Sequence, residues 1–158
     1  LEWSEVLYGV QWTLSKTWPQ QFSDVFCATS MAANVAKEIM NKFIMDGGKV
    51  YTHGVRYVWE LVTEYISRNG LNINDFDYIV PHQANKRMLD EIWNKLDYNN
   101  DNILKTLHEN GNTGAASPLL TLSKYSDKFK QGDRILLFSL WSWFTVTLID
   151  YICWDEFK

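Results

Sequence analysis

Cysteine is scarce in this chain, and the two present, Cys27 and Cys153, stand far apart with no paired spacing. Neither a disulfide framework nor a zinc-ribbon pattern is readable from them, so a reducing, cytoplasmic setting is expected. A basic surplus is missing too: 15 basic against 19 acidic side chains leave a formal charge of -4, which speaks against a nucleic-acid footprint. A small-molecule or protein partner fits better. No apolar run approaches the length of a membrane span, and no basic segment followed by an apolar core opens the chain. His53 and His108 offer no metal-ligand spacing with His82, so neither a metal nor a resident cofactor is expected. Internal repeats, low-complexity tracts and linkers are lacking as well. The chain opens on Leu1 rather than methionine, the pattern of a processed product, a fragment or an engineered chain.

What the sequence does have is length for one core and an unusual supply of tryptophan. Its 158 residues, eight of them Trp, are enough to bury about 68–70% of the surface that the unfolded chain exposes. Val6, Tyr8, Val10, Trp12 and Leu14 recur two apart and predict a half-buried strand over 5–15. Met31, Val35, Ile39 and Phe43 recur four apart and predict a helix from Ser23 to Phe43, with Ser23 or Ser30 as its cap. After Gly47-Gly48, the apolar positions Val50, Val55, Val58, Leu61, Val62, Tyr65 and Ile66 predict a helix ending at Asn69-Gly70. Tyr78-Ile79-Val80 reads as a short strand stopped by Pro81, followed by a helix from about Gln83 to Leu96. A short strand near 103–107, a Gly-Asn loop, a helix from Ala115 to about Tyr125, and two closing strands at about 134–140 and 143–152 complete the pattern.

Two stretches carry chemistry. Val80-Pro81-His82-Gln83-Ala84-Asn85 and His108-Glu109-Asn110-Gly111-Asn112-Thr113-Gly114-Ala115-Ala116-Ser117 each set a polar side chain where an apolar run meets a helix. Strand ends entering helices are where open α/β sheets gather ligands, and the helix starts there favour negative charge. Imidazole and carboxamide N–H groups converging on one point can stabilise the oxyanion of a reacting thioester, and one such donor is worth about 3–4 kcal/mol of barrier. Neither side chain is itself a nucleophile. Read alone, His82 is equally a helix-entry histidine satisfied by backbone, and Asn112 a loop asparagine beside Gly111.

Together with Asp46-Gly47-Gly48-Lys49-Val50-Tyr51 and Gly132-Asp133-Arg134-Ile135-Leu136-Leu137, these stretches resemble the carboxyl-terminal half of β-ketoacyl-acyl-carrier-protein synthase III, over roughly residues 44–148. The resemblance implies half of a thiolase-like α/β fold, a five-stranded mixed sheet with helices on its faces. It implies a condensing-enzyme domain that handles acyl-coenzyme A and malonyl-acyl-carrier protein by decarboxylative condensation. His82 and Asn112 correspond to the histidine and asparagine of the family's Cys-His-Asn site. Asn85 and Arg87 fall at positions lining the pantetheine tunnel and the carrier-protein docking rim, where Arg87 can pair with a phosphate.

The chain departs from the family in three places. Gly114 stands where the family usually has serine. The reactive cysteine belongs to the family's other half, so a missing amino-terminal half or a partner chain is implied; Cys27, at the start of the predicted helix, is the substitute this chain offers, its thiol activated by the helix dipole. In Leu140-Trp141-Ser142-Trp143-Phe144-Thr145 two tryptophans occupy the family's glycine run, where glycine permits unusual backbone angles and close approach to substrate. That substitution supports the alternative of a non-catalytic half-thiolase domain, natural or engineered, or a module that binds acyl thioesters without turning them over.

Overall fold

The computed structural model describes residues 8–27, 42–98, 101–141 and 144–154. Strand β1 (Gly9–Thr17) leads through a 3-10 turn (Pro19–Asp24) into β2 (Val25–Cys27), which pairs antiparallel with β3 (Phe43–Met45). Then follow α1 (Gly47–Arg68), β4 (Tyr78–Pro81), α2 (Lys86–Leu96), the single-turn α3 (Leu107–Asn110), α4 (Ser117–Lys124), β5 (Arg134–Trp141) and β6 (Thr145–Ile152). The main sheet runs β1-β6-β5-β4, parallel between β4 and β5 and antiparallel elsewhere. This is the mixed α/β sheet expected. Among the described residues the fifth strand is reduced to one parallel bridge between Ile103 and Ile79.

The helix predicted over 23–43 does not survive at either end. Val25–Cys27 and Phe43–Met45 are extended and pair with each other; most of the span between them lies outside the described residues. Non-local pairing has overridden the four-residue spacing at both boundaries.

α1 begins where Asp46 Oδ1 accepts the Lys49 amide at 3.1 Å, and it ends just before Gly70, whose φ of +63° only glycine adopts freely. With α2 it covers one face of the sheet: Val58, Leu61, Val62, Leu89 and Ile92 bury Leu136, Phe138, Val146 and Leu148. The second face buries Val80, Ile135, Leu137 and Cys153, with Leu122 and Tyr125 of the α4 segment packed against them. β4 is therefore covered on both sides, which is why it reads as an unbroken apolar run. Gly54 lets α1 close on the sheet, for a Cβ there would sit 3.0 Å from both Leu140 Cδ2 and Met88 Cε.

A charged group lies fully inside this core. Asp150, fully buried on β6, takes Nε and Nη2 of Arg134 on neighbouring β5 at 3.0 and 2.6 Å, and the Tyr65 hydroxyl of α1 at 2.5 Å. Two strands and a helix are thereby tied at one point, and the carboxylate keeps the Tyr65 phenol protonated, burial being the larger cause.

Candidate functional site

β4 delivers His82 to the end of the sheet. Its amide continues the ladder to the Phe138 carbonyl at 2.8 Å, and Pro81 before it stops the strand. α2 does not start at Gln83 as the spacing predicts but at Lys86. Asn85 Oδ1 accepts the Met88 amide at 2.8 Å and caps the helix, so residues 82–84 stay outside it and the imidazole is held at the strand end. Its Nδ1 lies 2.7 Å from Ser117 Oγ, the first residue of α4, and the same oxygen accepts the Gln83 amide at 3.0 Å. Burial pushes the His82 pKa below its ordinary value, opposed by the Gly114 carbonyl beside the ring. The ring is therefore neutral at pH 7.

Gln83 turns its side chain the other way and is completely buried. Its amide nitrogen donates to the carbonyls of Pro81 (2.9 Å) and Leu104 (3.3 Å). Its oxygen accepts the amides of Thr106 and Leu107, each at 3.1 Å. One side chain thus clamps the histidine-bearing strand end to the segment that leads into the asparagine loop. Those two amides are ones a longer fifth strand would need, and their capture by Gln83 goes with the ladder stopping at Ile103.

Asn112 sits in the loop between α3 and α4, flanked by Gly111 and Gly114 at φ of +65° and +59°. Its Oδ1 accepts the Gly114 amide at 2.9 Å, which leaves its NH2 as the free donor. His82, Asn112, Gly114 and Ala115 wall one side of a cavity of about 510 Å³, with Ala84 and Asn85 at the α2 entry and Val25, Phe43, Met45, Val50, Met88, Leu140 and Phe144 as the apolar remainder. A neutral imidazole and a free carboxamide thus share an otherwise apolar chamber, the setting in which oriented N–H donors act most strongly on developing negative charge. A larger cavity of about 640 Å³ lies around the end of α2 with Asp90, Asp97 and Asp101 in its wall. It holds none of the motif residues.

The sequence-predicted residues divide accordingly. His82, Asn85 and Asn112 meet in the chamber. Arg87 does not line it: the side chain is exposed and its guanidinium lies 5.3 Å over the Tyr51 ring. Cys27 closes β2 opposite Phe43, a strand and not a helix start, so the dipole argument for its activation lapses. His53 pairs with the buried Asp24 at 2.9 Å, and exposed His108 lies 3.2 Å from Glu109. Of the tryptophans in the glycine run, Trp141 closes β5 opposite Thr145, and Trp143 lies outside the described residues. Phe144, at φ +46° and 1% exposed, shapes the chamber directly. Sequence reasoning missed Gln83, Ser117 and Phe144 as parts of the site. Position inside the two motifs was the available signal for Gln83 and Ser117, and position in the altered glycine run was the signal for Phe144.

Residues 66–145 match the family model described as 3-oxoacyl-(acyl-carrier-protein) synthase III C terminal. The chain belongs to that synthase III family. Among curated synthase III relatives, that of Bradyrhizobium diazoefficiens is 37% identical over 103 residues, covering 64% of this chain and 32% of the relative; that of Clostridium novyi is 36% identical over 102 residues, covering 63% and 32%. The matched stretch spans about a third of the length of these relatives. Among solved synthase III structures, that from Thermus thermophilus superposes with a TM-score of 0.83 at 25% identity, over 96% of this chain and 48% of that one. The Pseudomonas aeruginosa synthase III gives 0.81 at 24% identity, over 94% and 45%. The thiolase-like fold of synthase III therefore covers more of this chain than the sequence likeness to the curated relatives does.

Proposed function

We propose that this chain supplies the decarboxylating half-site of a synthase III condensing enzyme. A malonyl thioester enters the chamber with its thioester carbonyl oxygen toward His82 and Asn112. As carbon dioxide leaves, the electron pair of the breaking bond forms an enolate, and the negative oxygen is met by the imidazole and carboxamide N–H groups. The apolar lining strengthens both contacts. Asn85 stands at the entry as a contact for the thioester arm, and Arg87 is the candidate for a phosphate of coenzyme A or of the carrier protein's prosthetic arm. The acyl-accepting thiol belongs in this reading to a part of the enzyme outside the chain, because Cys27 stands on a strand and not at a helix start.

The observation that carries the proposal is the meeting of His82 and Asn112 on one chamber from two separate places in the chain, the β4–α2 junction and the α3–α4 loop. The test is carbon dioxide release from malonyl-coenzyme A by the purified chain, beside His82→Ala and Asn112→Ala. Release that falls by two or more orders of magnitude in each variant is the expected result. A folded chain that binds malonyl-coenzyme A saturably but releases nothing would favour a thioester-holding module. No binding at all would leave the motifs as structural inheritance.

A further inference from the structure

We propose that Ser117 is a positioning residue that sets the tautomer of His82, placing the ring proton on Nε2, the nitrogen that Ser117 does not touch. The argument is proton accounting around one buried oxygen. Ser117 Oγ accepts the Gln83 amide at 3.0 Å and lies 2.7 Å from His82 Nδ1. A hydroxyl carries one proton, and Ser117 is 1% exposed, so water is not at hand to take it. If that proton goes to Nδ1, the ring nitrogen is an acceptor, the imidazole proton resides on Nε2, and every group in the cluster is satisfied. In the opposite tautomer Nδ1–H and the Gln83 amide both donate to Oγ. Among the described residues Oγ is paired with no further acceptor, so the serine proton is then left without one. Leaving a buried donor poorly satisfied shifts the balance by roughly 10-fold or more.

The cluster also fixes the ring's direction. Gln83 contributes its backbone to Ser117 while its side chain is held by four backbone groups, and the Ser117 carbonyl accepts the Thr121 hydroxyl at 2.8 Å. Ser117 therefore moves only with α4 and with the strand end. The inference rests on the proposed function for its catalytic meaning alone, since the tautomer is observable without any substrate.

Two-bond proton–nitrogen correlation spectra of uniformly 15N-labelled protein near pH 8 report it. An unprotonated Nδ1 and a protonated Nε2 for His82 are expected, with that preference lost in Ser117→Ala and kept in Ser117→Thr. A protonated Nδ1 in the unmodified chain overturns the proposal whether or not the alanine variant folds. So does an unchanged Nε2–H signal in Ser117→Ala. Malonyl decarboxylation measured alongside separates the two claims: Nε2–H with no carbon dioxide release refutes the proposed function and leaves the role of Ser117 standing.

Discussion

Replacing Gln83 by leucine keeps the volume of a buried side chain and removes four hydrogen bonds at once. Thr106 and Leu107 lose the acceptor of their amides, and Pro81 and Leu104 lose a donor to their carbonyls. An unsatisfied buried donor costs about 1–3 kcal/mol, so the two amides alone predict a loss of about 4 kcal/mol. In a chain of this size that lowers the melting temperature by roughly 10 °C. Urea unfolding is the assay: the midpoint should fall with the slope unchanged, which marks a loss of stability rather than of cooperativity. Gln83→Glu sharpens the test. One carboxylate oxygen can still accept both amides, but the other faces two carbonyls and must hold a proton to bond one of them. The folded-state pKa is thereby raised, so the variant should be near parent stability at low pH and lose ground as pH rises through that value. A leucine variant within 1 kcal/mol of the parent would refute the clamp.

Four further outcomes are expected. Asp150→Ala strands the Arg134 guanidinium and the Tyr65 hydroxyl inside the fold, and breaking such a buried pair should cost about 3–5 kcal/mol in urea unfolding. Asn112→Ala removes an exposed side chain with one local hydrogen bond, so its stability should stay within about 0.5 kcal/mol of the parent while decarboxylation falls about 10²–10³-fold. Burial depresses the His82 pKa; the unfolded chain therefore takes up this proton first, and the His82 contribution to stability is lost as pH falls from about 6.5, a dependence that His82→Gln should flatten. Burial pushes the Cys153 thiol up to about 11 from 9.0, so its contribution is lost as pH rises from about 9 toward 11. At pH 8 a thiol reagent should label Cys153 only as fast as the chain opens.

The legible parts of the sequence were those whose information is local. The periodicity of α1 and the apolar run of β4 rest on neighbouring residues, and both elements stand where the spacing puts them. His82 and Asn112 were readable because each marks the junction of a strand or loop with a helix, and such junctions converge when the strands are parallel. Misreadings arose where a partner distant in sequence decides. Phe43 fits a four-residue repeat yet pairs with Cys27 as a strand. Asn85 was read for its chemistry, although an asparagine three residues ahead of buried Met88 is also a capping signal, and it moves the start of α2 from Gln83 to Lys86. Ser117 looks like any serine opening a helix. Its contact with His82 spans 35 positions and exists only in the folded chain.

The outermost strand of the sheet comes from the opposite end of the sequence to its partner, with Gly9 beside Ile152 and Thr17 beside Thr145. That arrangement gives the protein an order of assembly. β4, α2, α4 and β5 lie within 64 consecutive residues and can gather around Gln83 and Ser117 early, whereas β1 must wait for β6 and then close a loop spanning nearly the whole chain. Of these elements β1 leaves the ribosome well before its partner β6 and waits for it, presenting Val10 and Trp12, which stay 60% and 62% exposed even after docking. A nascent edge strand of that kind invites chaperones or pairing with other chains. The chamber should thus take shape before the sheet is finished, and docking of β1 should set the pace of refolding.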